Sequence, residues 1–192
     1  MKWALFNWAL KAGTIENIIP VTRVRTDHGR IKFLCPGIVP YWRARTILTK
    51  EPDTIRWIDS FQPGKTLWDI GANVGVFTLY AAMRGLRVLA FEPAPANYFL
   101  LVKNIEINHL SDRISAIPLA LNDRRAMAAF NMRTTSFGSS LHTLGQPLDQ
   151  RGEKFEPTHV ITMLSTTVDD FVREYDPPFP NHIKLDVDGN EE

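Results

Sequence analysis

The sequence predicts an α/β protein built on a doubly wound, mostly parallel sheet, and three observations predict it. From Thr66 onward, short apolar runs alternate with stretches of helical period. Glycine or proline stands at most of the changeovers, as in "DIGANVG", "MRG" and "FEPAPA". Hydrophobic residues make up 44% of the chain and charged ones 22%, which supplies a buried core and excludes a disordered chain. Alternation of this kind is the pattern of βαβ units.

The elements follow in order. "MKWALFNWALKAG" sets Trp3, Phe6 and Leu10 near helical spacing, which predicts a short amphipathic helix packed on the domain, with a membrane-surface helix as the rival reading. Asn7 breaks its apolar core and Lys11 follows without a small-residue cleavage site, so it does not read as a secretory signal. "RIKFLC" is a strand, and Pro36 and Pro40 mark a link. "PDTIRWIDSF" is a helix with Pro52 near its start and Ile55, Ile58 and Phe61 at helical spacing, and "QPGK" is a turn. "TLWDI" is a strand, and "VGVFTLYAAMRG" a helix that Gly85 can stop. "LRVLAFEP" is a second strand ended by Pro93, "APANYFLLVKNIEINHL" a helix with Phe99, Val102, Ile105 and Leu110 on one face, and "RISAIPLAL" a third strand. "MAAFNM" and "HVITML" read as strands flanking a polar loop over 133–158, and loops that long are usually functional or mobile. "TTVDDFVREY" is a helix with Thr166 as N-cap and Asp169 three residues on. "HIKLDVDGNEE" opens as a β-branched strand.

Lys and Arg total 22 against 21 Asp and Glu, so no basic field for nucleic acid follows. The single cysteine, Cys35, excludes an intramolecular disulfide and a cysteine-based metal site, and fits a reducing compartment. No run approaches the ~20 apolar residues of a membrane span, and the expected location is cytoplasmic.

The turn after "TLWDI" carries the chemistry. In a βαβ unit it lies at the carboxyl edge of the sheet, where ligands bind, and its glycines let a ligand approach the backbone. "DIGANVG" supplies Gly71 and Gly75 around Ala72 and Asn73 but departs from G-x-G-x-x-G, because Asn73 stands in the middle glycine's place. That departure counts against a dinucleotide pyrophosphate and against a nicotinamide-dependent oxidoreductase. Glu92 ends the second strand about 20 residues beyond Gly71, where an acid can accept both hydroxyls of an adenosine ribose. Asp69, ahead of the glycines, suits a cationic ligand better than a phosphate. An acid on each side of relaxed glycines fits a nucleoside with positive charge and no phosphate, the description of S-adenosylmethionine.

The blocks "DIGANVGVFTLYAA", "VLAFEPAPANYFLLVKNIEIN", "IPLALND", "STTVDDF" and "HIKLDVDGNEE" resemble, in order, those of the FkbM family of methyltransferases, over Trp57 to the end of the chain. The resemblance implies a Rossmann-like class I methyltransferase fold and methyl transfer from S-adenosylmethionine to a hydroxyl oxygen on a sugar, glycan or small natural product. It matches Asp69, Gly71, Ala72, Asn73 and Gly75 to the cofactor turn and Glu92 to the ribose acid. Asn122 and Asp123 fall where adenine is usually met, and Asp186 ends the fourth strand beside the methyl group, with Glu191 the next candidate base.

On this reading residues 1–59 form a leader and 60–192 a Rossmann-like domain. The family pattern extends beyond a fourth strand, so the chain is expected to be incomplete, with self-association along an exposed fourth strand; the non-enzyme rival is a truncated interaction module. "DVDGNE" spaces Asp186, Asp188 and Asn190 like a calcium loop, but Glu191 stands where that loop requires glycine. The five histidines show no metal-ligand spacing, so no metal is expected. Ser136, Ser139 and Ser140 lack a hydrolase arrangement and read as a substrate-facing or flexible loop.

Overall fold

The computed structural model describes residue 14, residues 18–149 and residues 151–187. The helix expected around Trp3, Phe6 and Leu10 lies outside these residues, as do Asp188, Asn190 and Glu191. The described chain opens on an antiparallel hairpin, β1 (Val21–Thr26) and β2 (Gly29–Leu34), followed by α1 (Ile38–Arg45) and α2 (Pro52–Asp59). Then come β3 (Thr66–Ile70), α3 (Val76–Met83), β4 (Arg87–Phe91), α4 (Pro95–Asn108) and β5 (Ile114–Ile117). A second set of strands follows: β6 (Ala120–Leu121), β7 (Ala126–Met132), β8 (Thr143–Leu144) and β9 (His159–Thr166). The described chain closes with α5 (Val168–Tyr175) and β10 (His182–Leu185).

The doubly wound sheet predicted from the alternation is present. Its order is β10-β3-β4-β5, all parallel, so chain order reverses between β3 and β10. That reversal opens a crevice at the carboxyl ends of the two strands, the place where open α/β sheets bind ligands. Buried on both faces, β3 needs the near-continuous apolar run it has. Leu67 faces a core shared with α3, α4 and the hairpin, while Trp68 and Ile70 face Phe91 and Phe171 of α5. Each fully buried aromatic of that second face contributes about 1.5–3 kcal/mol. The other sheet, β6-β9-β7-β8, packs Phe130 and Met132 against Ala94 at the start of α4.

The edge of β2 away from β1 is satisfied by side chains. Asn104 Oδ1 accepts the Leu34 N–H at 2.7 Å, and Asn108 accepts from the Lys32 N–H at 2.8 Å and donates to its carbonyl at 2.7 Å. An edge covered in this way cannot recruit another strand.

Several expectations are corrected. "RISAIPLAL" is two strands in different sheets, because Pro118 has no N–H to continue the ladder. Pro40 lies inside α1 rather than a link, in the first turn, where the missing N–H costs nothing. α4 buries Asn97, Leu100, Leu101, Asn104 and Ile105, leaving Phe99 and Val102 exposed. The cap of α5 is Thr167, which accepts from the Asp170 N–H at 3.0 Å, one residue beyond the expected Thr166. Ile183 and Leu185 of β10 are about half exposed.

Candidate active site

The crevice at the strand reversal is a cavity of about 200 Å³. Ile70 and Gly71 at the end of β3 and Phe91, Glu92 and Pro93 at the end of β4 form its floor. Leu119 to Asn122 line one side, Asp186 and Val187 another, and Ser139, Ser140 and His142 of the long loop a third. Arg43, Lys50 and Glu51, from α1 and the segment after it, complete the wall.

The two glycines of the turn have different physical reasons. Both hold left-handed backbone, φ +82° at Gly71 and +87° at Gly75. A β-carbon on Gly71 would run into the backbone carbonyl of Asp186, so glycine lets the end of β10 close on the turn. A β-carbon on Gly75 would lie 2.6 Å from Leu101 Cδ1, away from the cavity, so this glycine admits α4 to the core. Asn73, between them, is also left-handed (φ 51°), which aims its N–H at Glu92 Oε2, 2.7 Å away.

Glu92 is held from several directions. Oε1 accepts the Ala94 N–H at 2.9 Å and the Asn97 amide at 3.5 Å, and the residue is only 5% exposed. Burial pushes its carboxyl up to about 7, against the three hydrogen bonds, which favour the charged form. A carboxylate offers about four acceptor positions; the two backbone N–H groups take two firmly and the Asn97 amide stands at the 3.5 Å limit, so acceptor capacity is left for a ligand.

Asn97 ties the loop to this acid. Its amide donates to the Ser139 carbonyl at 2.9 Å, as does the Asn73 amide, and its Oδ1 accepts the Gly138 N–H at 2.8 Å. His142 Nδ1 accepts the Arg133 N–H at 3.3 Å, which puts the ring proton on Nε2, 3.0 Å from Ser139 Oγ. Burial lowers the pKa of this histidine, so the ring is neutral near pH 7.

Asp69 is placed off the cavity. It is 1% exposed, accepts from Thr78 Oγ1 at 2.5 Å, and its other oxygen lies 3.3 Å from Lys184 Nζ, off the line of a hydrogen bond. Lys184 is the register partner of Asp69 across β10 and β3, and it reaches on to Asp186 Oδ2 at 3.2 Å. Burial alone would lower the lysine, but the two carboxylates outweigh it and hold its pKa above the ordinary value. Asp186 lines the cavity with its side chain 57% exposed. Asn122 lines it too, whereas Asp123 is exposed and ion-paired with Arg124 at 3.4 Å. Ala72 is buried, its N–H bonded to the Phe91 carbonyl. Sequence reading passed over Asn97, Lys184 and Arg43. A polar residue on the apolar face of a helix was the available signal for Asn97, and a lone lysine in a β-branched strand for Lys184.

The profile of the "Methyltransferase FkbM domain" matches residues 69–192, well over half of the chain. The chain belongs to the FkbM methyltransferase family. Among curated relatives, the hexuronic acid methyltransferase AglP of Haloferax volcanii is 27% identical over 190 residues, covering 97% of this chain and 71% of AglP. A tRNA (guanine(37)-N(1))-methyltransferase of Schizosaccharomyces pombe is 37% identical over 115 residues, 60% of this chain but only 24% of that protein. Among solved structures, P. horikoshii TYW2 in complex with MeSAdo aligns with 52% of this chain and 36% of its own, at 26% identity and a TM-score of 0.39. The fold is that of the class I methyltransferases, and the cofactor of this FkbM domain is S-adenosylmethionine.

The residues present fit that cofactor. A buried acid at the cavity floor suits a ribose, and the apolar Leu119, Ala120 and Leu121 suit an adenine ring. Among the described residues no group of three His, Cys, Asp or Glu side chains could hold a metal ion, and no helix is long and apolar enough to cross a membrane.

Proposed function

We propose that this FkbM domain transfers a methyl group to a hydroxyl oxygen of a sugar or glycan, with the cavity at the strand reversal as its active site. The observation that carries the reading is Glu92, a buried acid pinned by backbone N–H groups at the floor of that cavity. When bound, S-adenosylmethionine supplies an electrophilic methyl group on a sulfonium. Glu92 accepts hydrogen bonds from the ribose hydroxyls, and the Asn73 and Ala94 N–H groups keep its carboxylate in place for them. Gly71, Ala72, Asn73 and Gly75 set the path of the turn, and Asn122, which lines the cavity, would meet the adenine edge.

A hydroxyl is a poor nucleophile near neutral pH, so a carboxylate within reach that takes its proton lowers the barrier. Asp186 fills that role on this reading: it lines the cavity, it is accessible to an acceptor, and Lys184 Nζ donates to its Oδ2 and orients it. Asp69 contributes from behind by fixing Lys184, and Asp123 is turned to solvent beside Arg124. AglP aligns with nearly the whole of this chain and is named for a hexuronic acid, which supports a sugar as the acceptor class.

The test is methyl transfer from labelled S-adenosylmethionine to a panel of sugars, with wild type and Asp186→Asn side by side. The expected result is a methylated sugar, turnover lowered about 10²–10⁴-fold in the variant, and cofactor affinity little changed. Near-wild-type turnover in the variant would move the base elsewhere.

A further inference from the structure

We propose that Arg43 is the carboxylate-recognition residue of this cavity, a site that binds an anionic carboxylate on the ligand. The inference rests on reading the cavity as the S-adenosylmethionine site. Arg43 lies in the last turn of α1 beside the fully buried Ala44, and its side chain lines the cavity. Its Nε donates to the Gly138 carbonyl at 2.7 Å, which fixes the plane of the guanidinium against the loop.

Every other charge lining the cavity has an answer within the protein. Lys50 faces Glu51 at 3.6 Å, Asp186 faces Lys184 at 3.2 Å, and Glu92 is held by the Asn73 and Ala94 N–H groups. Arg43 has no carboxylate within ion-pair distance among the described residues. An arginine carries five N–H donors, stays charged at any relevant pH, and presents a rigid fork that matches a carboxylate in two hydrogen bonds. One donor is spent on Gly138, which leaves the terminal nitrogens for a ligand.

Two carboxylates can enter this cavity, the one on the amino-acid end of the cofactor and one on an acidic sugar acceptor. Probes separate them. S-adenosylhomocysteine carries the amino-acid carboxylate and methylthioadenosine lacks it, while glucuronate carries an acid group and glucose does not.

Calorimetry would compare wild type, Arg43→Gln and Arg43→Lys with the two nucleosides, then with the two sugars on protein saturated with S-adenosylhomocysteine. Gln keeps a neutral donor on α1 and removes the charge; Lys returns the charge without the fork. If the cofactor carboxylate is the ligand, Arg43→Gln weakens S-adenosylhomocysteine roughly 10- to 100-fold, leaves methylthioadenosine within about twofold, and Arg43→Lys recovers part of the loss. If the acceptor's carboxylate is the ligand, both nucleosides bind Arg43→Gln as they bind wild type, and glucuronate loses affinity while glucose does not. Equal weakening of the two nucleosides would show that Arg43 only straps the loop, and no change with any of the four probes would show that it binds no carboxylate. Either result overturns the proposal. Wild type that fails to bind methylthioadenosine would overturn the cofactor-site reading beneath it, by a measurement that does not involve Arg43.

Discussion

The glycines at 71 and 75 look alike in the sequence and should behave differently when replaced by alanine. Left-handed backbone costs a residue with a β-carbon about 1–2 kcal/mol, and both positions incur that cost. Forcing a methyl group into occupied space adds about 1–3 kcal/mol. At 75 the occupant is the Leu101 side chain, which is fully buried and must turn into a filled core. At 71 the occupant is the Asp186 backbone carbonyl, so the end of β10 must move. Each variant should therefore lose about 2–5 kcal/mol of stability, a fall in Tm of roughly 4–20 °C for a chain of this size. Function separates them. Gly71→Ala shifts the strand end that lines the cavity, and a displacement of about 1 Å in a positioning group can lower activity about 10²-fold. Gly75→Ala acts on the α3–α4 packing and leaves the floor of the cavity in place. Thermal melts paired with S-adenosylhomocysteine titrations well below either Tm should show tenfold or greater weakening in Gly71→Ala and less than about threefold in Gly75→Ala. A Gly75→Ala protein that melts like wild type but no longer binds would refute the assignment and make Gly75 a ligand glycine.

Other outcomes follow from the buried charges. Lys184→Met should destabilise by about 3–5 kcal/mol, because it strands the Asp69 carboxylate in the core, and adding Asp69→Asn should recover much of that loss in urea denaturation. Glu92 titrates near 7 when folded and at about 4.5 when free, so the unfolded chain binds fewer protons between those values and this group's contribution to stability falls as pH rises through that window. Ribose hydroxyls require the carboxylate form, so cofactor affinity should weaken as pH drops below about 7, by up to tenfold per unit, and a titration series from pH 5.5 to 8 checks this. His142 works in the opposite sense: its lowered pKa removes stability as pH falls through the ordinary histidine range, and the Arg133–His142–Ser139 contacts should loosen in hydrogen exchange there.

Much of this was legible before the structure. β3, α3, β4 and the start of α4 announce themselves because a strand buried on both faces must be apolar throughout and its turns must carry glycine or proline. Glu92 was legible as a polar residue at the end of such a strand. What escaped has physical reasons. β1, "VTRVRT", pairs with β2 and turns Thr22, Val24 and Thr26 to one face, of which only Val24 is apolar, so it shows no apolar alternation. α1 buries only Pro40 and Ala44, and leaves Ile38 and Trp42 exposed, so it lacks an amphipathic stripe. The apolar period of α4 is interrupted by Asn97 and Asn104, which are buried for their hydrogen bonds. The loop wall depends on the Ser139 backbone carbonyl, which receives two amides and has no signature in residue type. The pairing of Lys184 with Asp69 needed the register of two strands more than a hundred residues apart, which only the folded sheet supplies.

On the function proposed above, the Glu92 cavity holds the nucleoside. The most direct test is calorimetric titration of S-adenosylhomocysteine into wild type and into Glu92→Ala, with the fold of the variant verified by its melting curve. Loss of two charge-assisted hydrogen bonds should cost about 2–4 kcal/mol, which is a roughly 30- to 1,000-fold weaker Kd. A folded Glu92→Ala protein that binds S-adenosylhomocysteine as tightly as wild type would contradict the account.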